Sequence, residues 1–336
     1  MWYALRMKKA PVSPQDIQDA ARAFMGSRIL LTAFELGVFT ALSGRGRTAE
    51  EAARLLRTDP RGLDRLLRAL CARGWVRLRG GRFVNSQAAE KHLVRGRPGC
   101  LAGLGHTEHL YHSWGTLTAA VRAGGTVQKR PVKGRGKGWL EPFIAAMHGR
   151  GLVQADAVAR LADLRGCASL LDVGGGSGVF AMALVRRNPG LRAVVFDLPE
   201  VVPLTRRYVR EAGLAARVRA EAGDYEKDPL GTGYDAVLLS AIIHSLSPSE
   251  NLRLLRKAAR ALRSGGRVVI QDNIMDEARL KPASGALFAL NMLVNTAGGD
   301  TYTEGEVRSW LRRAGFGPAA RRDTRFETSL LIARKR

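Results

Sequence analysis

The stretch "LLDVGGGSGVF" at residues 170–180 constrains the fold more than any other part of the chain. An apolar run that predicts a buried strand leads directly into Gly174, Gly175 and Gly176, and a helical pattern follows. Glycine permits a tight turn and lets a ligand approach the backbone, while the start of the next helix offers free N–H groups. The stretch therefore predicts a strand–turn–helix unit that binds a nucleotide-like ligand.

Short apolar runs alternate with helical stretches after residue 168. The runs are "SLLDV", "LRAVVFD", "RVRAEA", "YDAVLLS" and "RVVIQD". Apolar strands that alternate with helices are typical of a parallel sheet covered on both faces. The tail adds two helices and two extended runs, "FGPAARRD" and "TRFETSLLIARKR", which predict an antiparallel hairpin. We expect an α/β, Rossmann-like domain in this half of the chain.

The N-terminal part follows a different pattern. Residues 14–42 predict two apolar-rich helices, and residues 48–86 predict a helix, a turn, a second helix and a short hairpin. Thr48 and Glu51 have the spacing of a capping box, and a Gly-Gly pair supplies the hairpin turn. This is the order of a winged helix, which can bind DNA and can also serve as a platform for dimerisation.

Two further helices are predicted between these halves. Residues 105–123 predict one amphipathic helix, and residues 139–164 predict a second, long one. The Gly/Lys/Arg-rich loop 124–138 that joins them is the segment we expect to be most mobile.

Composition narrows the class of protein. The 336 residues suggest two domains, and 46 % hydrophobic residues are enough for a packed core. No apolar run is long enough for a membrane span or a signal peptide, and three scattered cysteines fit a reducing cytoplasm. The net charge of +24 is compatible with an anionic partner such as nucleic acid, or with arginine used freely on solvated helix faces. We favour the second interpretation.

Acidic residues around the glycines distinguish two classes of ligand. "GSGVFA" at 176–181 matches a dinucleotide fingerprint, which alone is weak evidence. The acidic residue two positions before the glycines fits S-adenosylmethionine better. Asp197 ends the next strand, 23 residues after Gly174, where a carboxylate can accept both ribose hydroxyls, and Asp224 with Tyr225 follows the third strand. The three features together favour S-adenosylmethionine.

These residues carry a resemblance to a known family. The stretches "LLDVGGGSGVF", "VVFDLPEVV" and "LLSAIIHSLSPSENLRLLRKAARAL" resemble the dimeric small-molecule O-methyltransferases of class I, such as the caffeic-acid, acetylserotonin and bacterial polyketide enzymes. The resemblance implies a winged-helix-like dimerisation domain at 1–104 and a helical linker at 105–165 that contributes to the acceptor pocket. It implies a methyltransferase domain at 166–336 with a seven-stranded sheet whose last strand is antiparallel.

The resemblance also implies roles for individual residues. The glycine turn would face the methionine moiety, Asp197 the ribose, and Asp224 with Tyr225 the adenine. The full set of residues implied to face the cofactor is Gly174, Gly175, Gly176, Ser177, Gly178, Asp197, Leu198, Gly223, Asp224, Tyr225 and Ser240. Those lining the acceptor pocket are Trp114, Phe143, Met147, Asn291 and Met292.

His244 is the candidate general base. It follows the strand "YDAVLLS" near the glycine turn, and Asp272 ends a neighbouring parallel strand, so the carboxylate could orient the imidazole. The resemblance implies the same two roles. The sequence departs from the plant pattern at Ser245, which follows the histidine, and at Thr301, where plant members carry a second acidic residue. These departures indicate a bacterial type of site.

His106, His109 and His112 form an HxxHxxH pattern on one predicted helix. Steps of three residues make a metal site conceivable, but no cysteine is near. We expect no metal, and favour a place in the acceptor pocket for these histidines.

Several functions stay open. The leading one is methyl transfer from S-adenosylmethionine to a hydroxyl of a small, aromatic molecule in a cytoplasmic homodimer. Nitrogen or sulfur acceptors, and a relative that binds the cofactor without methylating, are alternatives. A nucleic-acid methyltransferase is disfavoured because "SAIIHSL" stands where base methylases carry an Asn/Asp-Pro-Pro-aromatic motif. A winged-helix regulator that senses the cofactor is the remaining possibility.

Overall fold

The computed structural model describes residues 12–128 and 136–336. Residues 129–135 of the loop that we predicted to be mobile lie outside these ranges. The chain divides into two compact units, one ending at Tyr111 and the other beginning at His112. Within the described residues, no helix has the length and apolarity needed to cross a membrane. The domain limits after residues 104 and 165 stay predictions.

The N-terminal unit is mostly helical and carries one two-stranded hairpin. Its elements are α1 (Pro14–Glu35), α2 (Val38–Ala41), α3 (Ala49–Leu56), α4 (Pro60–Ala72), β1 (Val76–Arg79), β2 (Arg82–Asn85), α5 (Gln87–His92) and the first part of α6 (Leu104–Trp114). The capping box of Thr48 and Glu51 is present at the start of α3. The glycines between β1 and β2 both have positive φ, as a tight hairpin turn requires. The winged-helix order is confirmed.

Two predicted helix boundaries are wrong. Residues 14–42 form two helices, as predicted, but the break comes at Gly37 rather than between residues 27 and 28. The φ of 78° at Gly37 is one that no helix accommodates. The helix predicted over 105–123 is interrupted after Trp114, and a separate helix begins at Leu117. Both errors arise because glycine interrupts some helices and is tolerated in others, according to the packing around it.

The C-terminal unit is built on a seven-stranded sheet. Its helices are α7 (Leu117–Ala123), α8 (Lys137–Ala162), α9 (Val179–Arg187), α10 (Val202–Glu211), α11 (Pro248–Ala261), α12 (Ala283–Asn295) and α13 (Glu304–Arg313). Its strands are β3 (Ser169–Val173), β4 (Arg192–Asp197), β5 (Val218–Ala222), β6 (Tyr234–Ser240), β7 (Leu262–Asp272), the short β8 (Ile274–Met275) and β9 (Tyr302–Thr303), β10 (Ala320–Asp323) and β11 (Ser329–Arg334).

The strand order of the sheet reverses at β3. The order is β10-β11-β7-β6-β3-β4-β5, in which β3 pairs in parallel with both β4 and β6, and only β11 runs against its neighbours. The chain therefore leaves β3 toward β4 on one side and returns to β6 on the other. In open α/β sheets, ligands bind at the carboxyl ends of the strands beside such a reversal. The predicted α/β fold with an antiparallel last strand is confirmed.

Two apolar cores hold the sheet between its helix layers. One packs β3, β6 and β7 against α11 and α13, and the other packs the opposite face against the end of α8 and α9. Leu170 and Leu171, adjacent in β3, are both fully buried and contribute to different cores. A strand buried on both faces is thus held in place up to the glycines that follow it.

Candidate active site

The glycine turn after β3 is shaped so that no side chain fits. Gly174, Gly176 and Gly178 all have positive φ, between 58° and 74°. A Cβ on Gly174 would lie 2.4 Å from Ile242 Cδ1, and one on Gly175 would lie 2.6 Å from Asp172 Oδ2. Both contacts are shorter than atoms allow. Gly174 therefore needs glycine for its backbone conformation and for packing, whereas Gly175, whose φ is not positive, needs it for packing alone. The turn leaves bare backbone at the start of α9.

A helix outside the sheet fixes Ser177 in the turn. His148 of α8 lies with Nδ1 2.9 Å from Ser177 Oγ, and its ring stacks on Tyr208 at 4.1 Å between centroids. Burial lowers the pKa of His148. His148 was not among the residues predicted from the sequence, although its position one residue after Met147 could have indicated it.

Asp197 closes the other side of the turn. Its carboxylate accepts hydrogen bonds from the backbone N–H of Gly176 at 2.7 Å and of Leu198 at 2.8 Å. Burial raises the pKa of Asp197 to about 6, and the two hydrogen bonds oppose that shift. The carboxylate is therefore held at the end of β4, beside the bare glycine backbone, where a ribose could use its remaining lone pairs.

Asp172, inside β3, is a second acidic group under the turn. Its side chain is buried, and neither carboxylate oxygen has a hydrogen-bond partner among the described residues. Burial, helped by the charge of Asp197 and opposed by the nearby backbone N–H of Ala181, raises the pKa of Asp172 to about 8. At neutral pH the group is thus mostly protonated, which is how a buried carboxyl without a partner avoids the cost of a charge.

The end of β5 contributes the third predicted group. Gly223 packs so closely on the ring of Phe196 that a Cβ would lie 2.2 Å from it. Tyr225 follows, with Cε1 3.6 Å from the position of a Cβ on Gly174, so its ring borders the turn. Burial raises the pKa of Tyr225. Asp224 accepts the backbone N–H of Glu226 through Oδ1. The structure thus brings Tyr225 to the turn.

His244 and Asp272 form a hydrogen-bonded pair. His244 lies in a short 3-10 turn after β6, and its Nδ1 is 2.9 Å from both carboxylate oxygens of Asp272 at the end of β7. Both side chains are largely buried, at 13 % and 2 % exposure. The carboxylate therefore holds the proton on Nδ1, and Nε2 is left as the acceptor on the ring's other side. Among the described residues, none hydrogen-bonds Nε2.

The backbone before His244 is strained. Ala241 has φ of 56°, a conformation that costs a residue with a Cβ about 1 kcal/mol or more, and its N–H donates to the Gln271 carbonyl. On the far side, a Cβ on Gly299 would lie 2.3 Å from the His244 carbonyl oxygen. The position of the imidazole is thus fixed by the backbone on two sides as well as by Asp272.

Ser240 belongs to a buried network of hydrogen-bonded polar side chains. Its Oγ donates to Gln271 Oε1 at 2.6 Å, and Gln271 Nε2 reaches Gln154 Oε1 of α8 at 3.3 Å. All three residues are buried. The hydroxyl proton of Ser240 is thus committed to Gln271, and a contact between Ser240 and the cofactor stays a prediction.

The predicted acceptor residues fall into two groups. Trp114 Nε1 donates to Asn291 Oδ1 at 3.0 Å, so α6 and α12 meet at a polar contact, and Met292 is buried next to it. One turn earlier on α12, Phe288 packs edge-on against the His244 ring at 4.8 Å. Phe288 is a site residue that the sequence analysis missed, although it precedes Met292 by one helical turn.

The second group lies on α8. Phe143 stacks on Trp139 at 4.9 Å between ring centroids and packs beside Leu198, and Met147 follows one turn later. Roles for these residues toward an acceptor stay predictions.

The structure also shows the surroundings of Thr301, which stands where plant members carry a second acidic residue. Asp300 forms an ion pair with Arg279 at 3.2 Å, and Thr301 is buried. Within 12–128 and 136–336 there is also no cluster of three or more potential metal ligands. His109 contacts Glu108 at 3.5 Å.

Comparison with known proteins identifies the family. A model for the O-methyltransferase domain matches residues 132–317, and one for the O-methyltransferase dimerisation domain matches residues 18–95. A 3-hydroxy-5-methyl-1-naphthoate 3-O-methyltransferase of Streptomyces sahachiroi is 34% identical over 90% of this chain and 89% of its own. The tetracenomycin polyketide synthesis 8-O-methyl transferase of Streptomyces glaucescens is 33% identical, over 96% of this chain and 97% of its own.

A solved structure agrees in fold. Human N-acetylserotonin methyltransferase in complex with SAM superposes with a TM-score of 0.80 at 26% identity, over 98% of this chain and 99% of that one. S-adenosylmethionine is the cofactor, and the bare glycine turn with Asp197 beside it fits that ligand. The chain is an enzyme and belongs to the S-adenosylmethionine-dependent O-methyltransferase family.

Proposed function

We propose that this enzyme methylates a hydroxyl group of a small aromatic molecule, with His244 as the general base. The observation that carries the proposal is the contact between His244 Nδ1 and both oxygens of Asp272, because it leaves Nε2 available to accept a proton. Phe288 against the imidazole supports an aromatic acceptor in the same place. The two Streptomyces relatives named above support transfer to oxygen.

The chemistry divides between the cofactor and the protein. When bound, S-adenosylmethionine supplies a methyl group on a positively charged sulfur, which is released as a neutral thioether. A phenol is a weak nucleophile at neutral pH, so His244 Nε2 accepts the hydroxyl proton as the oxygen–carbon bond forms. Asp272 stabilises the positive charge on the ring, as a buried aspartate does for the histidine of a hydrolase. Alignment of the hydroxyl contributes further to the rate.

Replacement of the base is the direct test. We expect His244→Ala to lower turnover of an ordinary phenol at least 100-fold while the affinity for S-adenosylhomocysteine, measured by calorimetry, stays the same. Acidic phenols should lose much less, because they ionise without help. A turnover near that of the wild type, or an equal loss for acidic and ordinary phenols, would remove the general-base assignment.

Asp272→Asn supplies the matched variant. The amide preserves the shape of the side chain, but its NH₂ can donate to Nδ1 and so move the ring proton to Nε2. We expect a loss of 10-fold or more with unchanged cofactor affinity. In the wild type, a preference for amine or thiol analogues over the phenol itself would contradict the assignment of a hydroxyl as the methyl acceptor.

We also infer that the enzyme is a homodimer. The match of residues 18–95 to a dimerisation domain supports this, as does the surface of α1, where Ile17, Phe24 and Met25 are more than half exposed in the single chain. Spacings of seven and eight residues put the three side chains on one face of the helix. An apolar helix face is stabilised when a second copy covers it.

A further inference from the structure

Arg150 of α8 is a partly buried cation with no assigned role. Among the described residues it has no hydrogen bond and no ion pair, whereas cations of comparable burial elsewhere, such as Arg217 and Arg308, donate to backbone carbonyls. A guanidinium carries five N–H donors, and removing it from water without partners costs free energy. Burial lowers the pKa of Arg150, and the negative charge of Asp272 opposes that shift.

The side chain lies next to the catalytic pair. The guanidinium carbon is 5.7 Å from the centre of the Phe288 ring, and that ring packs on the His244 imidazole at 4.8 Å. Asp272 is within range to attract the cation, but its oxygens already accept from His244 and from the backbone N–H of Asn273. The guanidinium of Arg150 thus lies against Phe288, on which the His244 ring also packs, and none of its donors has an acceptor among the described residues.

The helix separates Arg150 from the cofactor turn. Ile144, His148 and Gly151 face the turn, as shown by contacts to Gly176, Ser177 and Val179. At roughly 100° per residue, Arg150 points about a third of a turn away from that side. It shares its own side with Phe143, Met147 and Gln154, at spacings of four, three and four residues. This second side of α8 is the one that carries the predicted acceptor residues.

We propose that Arg150 binds a carboxylate on the acceptor, so that the substrates of this enzyme are hydroxylated aromatic acids. The inference rests on the proposed function, because it assigns the acceptor class to the same site. A planar guanidinium binds a carboxylate through two parallel N–H donors, which would fix the ring and aim its hydroxyl at His244 Nε2. The charge of the acid also supplies the partner that the protein does not provide.

Three probes that differ in one group test this assignment. They are 3-hydroxy-1-naphthoate, its uncharged methyl ester, and 2-naphthol, which lacks the carboxyl group. We expect the wild type to bind the acid, with S-adenosylhomocysteine present, at least 10-fold more tightly than the ester or the naphthol. Arg150→Met should raise KM and Kd for the acid at least 30-fold and change the values for the two neutral probes less than 3-fold, and Arg150→Lys should fall between.

The control is Arg160→Met on the same helix. Arg160 is exposed and pairs with Asp156, so its loss should affect none of the three probes. Calorimetry with S-adenosylhomocysteine supplies the second readout, because its affinity should be the same in every variant.

Four results would overturn the proposal. They are no preference of the wild type for the acid, no binding of the acid, an equal loss for all three probes in Arg150→Met, and weaker binding of S-adenosylhomocysteine in that variant. An equal loss would make Arg150 a positioning residue for His244, and weaker cofactor binding would assign it to the cofactor. If the acid binds through Arg150 but is not methylated, the carboxylate-binding role of Arg150 stands, whereas the proposed methylation of its hydroxyl fails.

Discussion

Asp197 and Asp172, two acidic residues beside the glycine turn, differ in their hydrogen bonds and in their burial. Asp197 receives two backbone hydrogen bonds. Asp172, two residues before the glycines, is buried more deeply and has no hydrogen bond of ordinary geometry among the described residues. Their pKa values are raised to about 6 and about 8 in that order. The free energy cost of a buried charge thus explains why one carboxyl can meet a ligand as an anion while the other serves as a neutral group.

The raised pKa of Asp172 predicts how stability depends on pH. Between pH 5.5 and 7 the folded chain keeps the proton that the unfolded chain has lost, so this group makes stability fall as pH rises, by up to about 1.4 kcal/mol per pH unit. Asp172→Asn removes that contribution. From pH 5.5 to 7, its free energy of unfolding should therefore rise relative to the wild type by about 1–2 kcal/mol. Urea titrations at both pH values measure it, and parallel pH profiles would contradict the assignment.

At the scale of elements, α8 joins the two parts of the active site. One side contacts the glycine turn and α9, and the other carries Phe143, Met147 and Arg150. The helix approaches α9 so closely that a Cβ on Gly151 would lie 2.4 Å from Val179 Cγ1, whereas nothing lies within 4 Å of one on Gly149. The small residue at 151 therefore sets the distance between the helix and the turn.

Two glycines on α8 give opposite predictions. Gly151→Ala should destabilise the protein by about 1–2 kcal/mol because the added methyl group displaces Val179, and it should raise KM for the cofactor. Gly149→Ala should stabilise it by up to about 1 kcal/mol, since alanine favours a helix and the site is open. The second substitution Val179→Ala should restore part of the loss in Gly151→Ala. Thermal unfolding of the three variants measures this, and a stable Gly151→Ala single variant would refute the close contact.

At the scale of the whole molecule, the proposed dimer depends on α1. Of the apolar side chains on its outer face, Ile17 is 61 %, Phe24 52 % and Met25 53 % exposed in the single chain. The net charge of +24 is a separate property, and a role for it in binding nucleic acid stays untested. A mobility-shift assay would distinguish bulk attraction from a specific site, because the former weakens steeply with salt.

A charge on the outer face of α1 should separate the copies. We expect Phe24→Glu with Met25→Glu to convert the dimer to a monomer, measured by light scattering at several concentrations, because two carboxylates cannot be buried without partners. Arg22→Glu is the control, since Arg22 is exposed on the same helix but not on the apolar face. A dimer that persists in the double variant would exclude α1 from the interface.

Much of the site could be predicted before the structure because it depends on short stretches. The glycines after β3, Asp197 at the end of β4, and His244 and Asp272 after β6 and β7 all follow strands, and parallel strands bring their carboxyl ends to one edge. Phe288 and Arg150 were not predicted. Each sits in a helix whose rotation about its axis depends on packing, so no short sequence pattern distinguishes a residue aimed at the site from one aimed at solvent.

The sequence by itself determined the class of fold, the family and the glycine turn after β3, because glycine spacing, strand periodicity and acidic positions are local properties that few structures satisfy. Only the tertiary structure decided three further points among the described residues. Asp172 has no hydrogen-bond partner there, Ser240 is committed to Gln271, and Arg150 packs over Phe288 without a hydrogen bond or an ion pair. Partnership and burial depend on residues far apart in the chain, and the free energy of a charged or polar group is set by those neighbours rather than by its own segment.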